Sequence, residues 1–423
     1  MTFLEDTKVI STDQSAYLRD HSTQTSLHRV VDNILENMNE GEYTAACVFD
    51  ISKCFDTINH KNLLFKLDKY GIRGDTLSWF GSYLSGRTQT TLCHNKLSTL
   101  GDLSYGVPQG SILGPLLFLL YINDVQNYGT NGCFINLYAD DLLIIVCDKN
   151  LAKLQEKMQN AVDSLGDWYS MNRLKVNPKK SKLIIFASPH KLKHVKPENF
   201  IIRHNGIVIP LVDELKYLGL VLQKDLSWSK CTTEVCSKSN FKITQLKELK
   251  RAGAPRELLL NVYKTFIQCI FDYGISVWGM TTQENLAKVQ RKQNRLARII
   301  TGQFDRKVSG VSLVKQLGLQ TIVERRDFFM CKYTFQSIHG TAPDYLSTRI
   351  TLKADLHPHN TRASDFGDIH PPPVHKAIFR RSLHYHGAVL WNQLPAFVKD
   401  SCSIDAFKRN YYNHFNPREN AYE

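Results

Sequence analysis

Two hydrophobic periods take turns along the first 225 residues. In STQTSLHRVVDNILENMN (22–39), Leu27, Val30, Val31, Ile34, Leu35 and Met38 recur every three or four positions, predicting a helix with one buried face. AACVFDI (45–51) is short and apolar and predicts a strand with Asp50 near its C-terminal end. CFDTINHKNLLFKLDKYG (54–71) predicts a helix closed by Gly71. GVPQGSILGP (106–115) holds two prolines and three glycines, so it begins as a loop, and SILGPLLFLLYINDV continues it as a buried helix. The strands CFINLYA and LLIIVC flank Asp140 and Asp141, and an amphipathic helix follows over about 150–170. NPKKSKLIIF reads as a loop then a strand, and ELKYLGLVL as one further apolar strand. Beyond about residue 226 the pattern is mainly helical and strongly basic. The fold class this predicts is α+β: a mixed domain followed by a helical, nucleic-acid-facing one.

Composition narrows the picture. The chain has 423 residues, 43% of them hydrophobic, which is enough core for two or three domains. Its formal net charge of +13 points to a polyanionic partner or to a generally basic surface. No run approaches the roughly 18 apolar residues of a membrane helix, so no membrane partner is expected. The start, MTFLEDTKVISTD, does not read as a secretory leader. Ten scattered cysteines without a C-x-x-C predict reduced thiols in an intracellular protein. HPPPVH (370–375) is a plausible linker, and no internal repeat is visible.

The candidate chemistry is acidic. Taken alone, Asp140 and Asp141 suit the turn of a hairpin, and Asp50 suits the cap of the following helix. If the strands that carry them are sheet neighbours, all three carboxylates meet at one edge. Hard divalent cations take such oxygen ligands. Two ions roughly 4 Å apart can activate an attacking hydroxyl and stabilise a leaving phosphate oxygen, the requirement of phosphoryl transfer.

The order of segments changes the odds. VFDISKCFDTINH, GVPQGSILGPLLF, YADDLL, LKVNPKKSKLIIF and KYLGLVL follow one another. This series resembles the palm of reverse transcriptases, most closely those of non-LTR retrotransposons of the Jockey-like kind. The first four match motifs A to D of that family, and KYLG matches its primer grip; five in order are specific where each alone is weak. FDYGISVW (271–278), VQRKQNRLARIITG (289–302), WNQLP (391–395) and FKRNYY (407–412) are similar to its C-terminal stretches, so the resemblance covers nearly the whole chain.

The resemblance implies a right-hand polymerase. A residual fingers segment would occupy 1–40, a ferredoxin-like palm 41–225, a helical thumb 226–300 and a helical C-terminal region 301–423. It implies an RNA-directed DNA polymerase that adds deoxynucleotides from dNTPs to a primer 3′-OH on an RNA template. Two Mg²⁺ ions would serve it, with Mn²⁺ a possible substitute. The alternative is an inactive remnant that only binds RNA or DNA; an RNA-synthesising or telomerase-like enzyme is a third reading, which Phe55 opposes. Nuclear and cytoplasmic location is expected, and oligomeric state is left open.

Residue by residue, Asp50 and Asp140 would hold the ions and Asp141 would complete the triad. The backbone of Ile51 would face the triphosphate. Phe55 matches the steric gate against a ribose 2′-OH, or is a core phenylalanine. Gln109 would contact the incoming nucleotide or the template, with Gly110 admitting close backbone approach. Lys180, or its neighbour Lys179, would donate a proton to pyrophosphate, or belong to a solvated loop. Tyr217, Leu218 and Gly219 would form the primer grip, or an ordinary core strand. Across 285–300, Leu286, Val289, Leu296 and Ile300 share one helical face and Lys288, Arg291, Lys292, Arg295 and Arg298 another. The basic face would track phosphates, or simply be solvated.

The chain also departs from the pattern. D-Q-S-A-Y (13–17) stands where the family has Q-x-G-F, with Ala16 for Gly and Tyr17 for Phe. The family's basic R-P-I fingers motif, its endonuclease domain and its C-C-H-C knuckle are not in the sequence. An N-terminally truncated element or an incomplete gene model is expected from this.

Overall fold

The computed structural model describes residues 3–4, 7, 9–51, 53–130, 132–356 and 367–415. The chain forms two compact units: Met1–Ser26 with Glu42–Asp213, and Leu27–Gly41 with Glu214–Glu423. The chain passes between them inside α1 (Thr23–Asn39), after Gly41 and again after Asp213.

The first unit is built on a sheet of β1 (Tyr43–Phe49), β2 (Phe134–Tyr138), β3 (Asp141–Asp148) and β4 (Lys182–Phe186) in the order β2-β3-β1-β4. Every neighbouring pair is antiparallel. Helix α4 (Leu113–Ile122) lies between β1 and β2 in sequence, and α5 (Leu151–Met171) between β3 and β4. This is the β-α-β-β-α-β connectivity of a ferredoxin-like domain, as the resemblance implied. Alternate strand residues Ala45, Cys47, Phe49, Leu142, Ile144, Leu183 and Ile185 form one core with Leu117, Phe118, Met158, Val162, Leu165 and Trp168 of the two helices. The period-2 strands and period-3.6 helices of the sequence thus meet as one layer on another. Asn150 caps α5 by accepting from the N–H groups of Ala152 and Lys153 at 2.8 and 3.2 Å.

Three local expectations fail. The helix foreseen from Cys54 starts only at His60, as α2 (His60–Lys69), because Asn59 takes the cap and bonds Asn62 N–H at 3.0 Å. The carbonyls of Phe55 and Ile58 are used instead by Val107 and Gly106 N–H at 2.9 and 2.8 Å. Helix α3 (Gly74–Leu84) and two short exposed hairpin ladders at 88–102 follow, a stretch with no clear pattern in the sequence.

The second unit opens with the second failure. ELKYLGLVL is not one strand but a hairpin: β5 (Glu214–Tyr217) and β6 (Leu220–Gln223) turn at Leu218-Gly219. Both turn residues have positive φ, +41° and +79°, the geometry that matches hairpin twist. Tyr273 holds the turn by donating its hydroxyl to the Leu218 carbonyl at 2.7 Å. Helices α6 (Ser229–Arg251), α7 (Gln283–Thr301), α8 (Ile322–Ile338) and α9 (Ile404–Phe415) are the longest elements that follow, joined by shorter helical turns. The third failure is HPPPVH. It is not a free linker: Asn39 of α1 bonds the Pro373 carbonyl at 3.4 Å and accepts from His375 N–H at 2.8 Å.

Candidate active site

The register of the sheet decides where the acids go. Phe49 at the end of β1 pairs with Leu142 of β3, and Tyr138 of β2 pairs with Asp141 across a two-residue turn. Asp50 is the next residue after β1; Asp140 and Asp141 end the β2–β3 turn. All three therefore lie at one edge of the sheet. The turn is tight enough to force Ala139 to φ +53°, a left-handed conformation that costs a non-glycine residue about 1 kcal/mol.

The backbone around Asp50 is fixed from the other side. Its carbonyl accepts from Asn177 N–H at 2.9 Å, its N–H donates to Ser181 Oγ at 3.3 Å, and Ile51 bridges Val176. These contacts bring the NPKKS loop to the edge. Lys180 Nζ stands 3.9 Å from Asp50 Oδ2, while Lys179 N–H bonds Asn177 Oδ1 at 3.2 Å.

Electrostatics set this edge apart. Burial, then the Asp140 and Asp50 carboxylates, push the Asp141 carboxyl up to about 6. Like charges are gathered here with little compensation. Cys54, not singled out from the sequence, is buried with its thiol against Asp140. Burial, then that carboxylate, push the thiol up to about 12, so it stays a protonated donor. Its place in the motif, between Asp50 and Phe55, was the available signal. As a donor set, three carboxylates with excess negative charge fit hard divalent ions. Among the described residues no three acidic, histidine or cysteine groups already close on a common point, so binding would draw the carboxylates together.

The other first-unit candidates lie on neighbouring elements. Phe55 is half-buried and stacks on Phe118 of α4 with ring centroids 4.2 Å apart. Gln109 donates to Asp56 at 2.9 Å, and Gly110 sits at φ +80° with open space beside it. Lys53, Asp56, Arg87, Gln89, Tyr105 and Gln109 line an open cleft of about 530 Å³. No pattern or spacing in the chain singles out Lys53 and Arg87.

The family model for reverse transcriptase (RNA-dependent DNA polymerase) matches residues 1–222, which contain this whole edge. The chain belongs to the reverse transcriptase family. It is similar to the probable RNA-directed DNA polymerase from transposon X-element of Drosophila melanogaster, 27% identical over 340 residues, 79% of this chain and 36% of that protein. It is 28% identical over 348 residues to the probable RNA-directed DNA polymerase from transposon BS of the same species, 78% of this chain and 37% of that protein. It is 28% identical over 315 residues to the RNA-directed DNA polymerase from mobile element jockey of that species, 71% of this chain and 33% of that protein. The chain thus spans about a third of the length of these curated relatives. Among solved structures, apo telomerase from Candida tropicalis overlays loosely, with a TM-score of 0.37 and 13% identity over 82% of this chain and 59% of that one.

The remaining candidates of this reverse transcriptase family member lie in the second unit. Tyr217 is buried, and Leu218-Gly219 is the hairpin turn under Tyr273. On α7, Leu286, Val289, Leu296 and Ile300 are buried, and Lys288, Arg291 and Arg295 are exposed. Lys288 pairs with Glu284 at 3.0 Å. Lys292 bonds Asn240 of α6 at 2.7 Å. Arg298 is committed to the loop after α7, donating to the Asp305 and Val308 carbonyls at 2.8 and 2.6 Å.

Proposed function

We propose that this chain is the polymerising part of an RNA-directed DNA polymerase of the non-LTR retrotransposon kind. It extends a primer 3′-OH with deoxynucleotides from dNTPs, copying an RNA template. The observation that carries this reading is the strand register that gathers Asp50, Asp140 and Asp141 at one edge; the family match and the retrotransposon relatives support it.

Asp50, Asp140 and Asp141 are the residues that would hold two Mg²⁺ ions. When bound, those ions supply the Lewis acidity that activates the 3′-OH and steadies the pyrophosphate oxygen. The rest falls to the chain. The ring of Phe55, braced on Phe118, crowds a 2′-OH and selects the deoxyribose. The backbone at Ile51, pinned by the 176–181 loop, orients the triphosphate. Lys180, close to Asp50, donates the proton that the departing pyrophosphate needs. Gln109 and Gly110 meet the nucleotide or template strand, the Tyr217–Gly219 turn steadies the primer, and the exposed arginines of α7 hold backbone phosphates without reading sequence.

Primer extension tests this reading. Purified chain is given an RNA template with an annealed DNA primer, dNTPs and Mg²⁺ or Mn²⁺. Template-dependent extension that both Asp140→Asn and Asp141→Asn abolish is the expected result. Salt-sensitive duplex binding with no extension would replace it with the reading of a nucleic-acid-binding protein without catalysis.

A further inference from the structure

The acidic turn is held by a residue outside the acidic motifs. Residues 13–15 run beside β2, the outer strand of the sheet. Leu137 N–H donates to the Asp13 carbonyl and Ser15 N–H to the Leu137 carbonyl, both at 2.9 Å, forming a single parallel bridge at Gln14. The Gln14 side chain is 2% exposed and turns back under the hairpin. Its Oε1 accepts three backbone N–H groups: Ser15 at 2.9 Å, Ala16 at 2.7 Å and Ala139 at 3.3 Å.

The third donor matters most. Ala139 is the strained, buried residue that immediately precedes Asp140. In a two-residue hairpin the ladder bonds belong to the flanking pair, here Tyr138 and Asp141, so the Ala139 N–H has no ladder partner. A buried N–H left unmet is destabilising. The Gln14 oxygen meets it, and in doing so resists relaxation of Ala139 out of φ +53°. The orientation of the amide is not arbitrary. Three N–H donors converge on one atom, so that atom is the carbonyl oxygen; a flipped amide would set NH₂ against all three. The remaining Nε2 is buried without a hydrogen-bond partner among the described residues.

We infer that Gln14 is a positioning residue: its carboxamide oxygen fixes the turn that aims Asp140 and Asp141. The consequence for catalysis rests on the polymerase reading; the consequence for the turn does not. Two variants separate the cases. Gln14→Met keeps the volume and removes the acceptor. Gln14→Glu keeps an acceptor that can meet the same three N–H groups.

The full chain and both variants are compared by primer extension and by amide hydrogen exchange of the segment 136–142. With Gln14→Met, kcat is expected to fall about 100-fold, the loss that a small misplacement of reacting groups can cause. The dNTP KM and the Kd for primer–template should change little, the thermal midpoint should fall by a few degrees as the three N–H groups lose their acceptor, and exchange at the turn should quicken. Gln14→Glu should recover at least about tenfold of the lost kcat and restore the slow exchange. Unchanged exchange at the turn in Gln14→Met would overturn the inference. So would a loss of kcat that only follows a lowered thermal midpoint and weakened duplex binding, or quickened exchange with full kcat. If the unsubstituted chain does not extend a primer, the polymerase reading falls, and the exchange comparison alone decides the role of Gln14.

Discussion

Two acidic sites in this chain, a cluster of three and a single carboxylate, are built on opposite principles. In the first unit, Asp50, Asp140 and Asp141 share one edge and raise one another's energy; only Lys180, 3.9 Å from Asp50, forms an ion pair there among the described residues. In the second unit, Asp32 of α1 is buried with its charge answered. Its Oδ2 lies 2.6 Å from His384 Nδ1, and its Oδ1 accepts from Leu383 N–H at 3.2 Å. Burial alone would lift the Asp32 carboxyl, but the His384 ring beside it overrides this and holds the group below the usual carboxylate range. One turn back on the helix, burial drives His28 down to about 4, so it is neutral and shares a hydrogen bond of 2.8 Å with Ser276 Oγ. Depth alone therefore does not mark a functional acid. The deeper carboxylate is satisfied and ties α1 to the C-terminal helices. The shallower set is left in mutual repulsion, which a substrate-bound cation would relieve.

That contrast can be broken by substitution. Asp140→Asn should cost on the order of 1000-fold in extension, several kcal/mol of transition-state stabilisation, while the urea midpoint stays put or rises. Asp32→Ala should do the reverse to the fold. It leaves the buried His384 and the Leu383 N–H without their partner, and should lower unfolding free energy by about 3–5 kcal/mol in urea titrations. If Asp32→Ala leaves stability intact, the second network is not the device described.

The cationic groups sharpen the same distinction. Arg291 and Arg295 are exposed on α7, so replacing each with Ala should reduce the slope of log K against log salt for duplex binding by about 0.7–0.9. Arg298→Ala, which strips the Gln303, Asp305 and Val308 carbonyls of this donor, should lower the thermal midpoint and leave the slope unchanged. Equal slopes for all three would erase the difference.

The smallest effect is a matter of sign. Asp141 titrates near 6 in the folded chain, above its unfolded value of about 3.9. Between those pH values the folded chain binds more protons, so this group's contribution is present below about pH 4 and lost as pH rises through 6. Without divalent ions, Asp141→Asn should be more stable than the parent at pH 7.5, by less than about 1 kcal/mol because the carboxyl at the sheet edge is only partly withdrawn from water and solvent screens its charge. No gain is expected at pH 3.5. Thermal midpoints at the two pH values check it.

Much of the first unit was legible because its strands and helices keep clean periods and its acids sit at strand ends. Where legibility failed, local chemistry had overruled the pattern. L-K-Y-L-G-L-V-L looks continuous because nothing in it announces a turn. Leu218 takes a left-handed conformation that propensity argues against, and a tyrosine distant in sequence holds it there. The early helix start was misplaced because Asn59, not Asp50, supplies the cap. Gln14 could be read only as part of a motif. Its three-way acceptor role depends on the sheet edge that brings residue 139 to it, and no spacing in the chain encodes that.

The strand order also sets a timetable for synthesis. β1 finds its first partner in β3 and its second in β4, so Asp50 leaves the ribosome long before anything can pair beside it. A nascent chain halted ahead of Asp141 lacks part of the acidic edge, and one halted ahead of Phe186 lacks a complete β4, the strand that follows the Lys180 loop. Shorter translation products would therefore expose an unpaired edge of β1, a hazard for association rather than a smaller working domain.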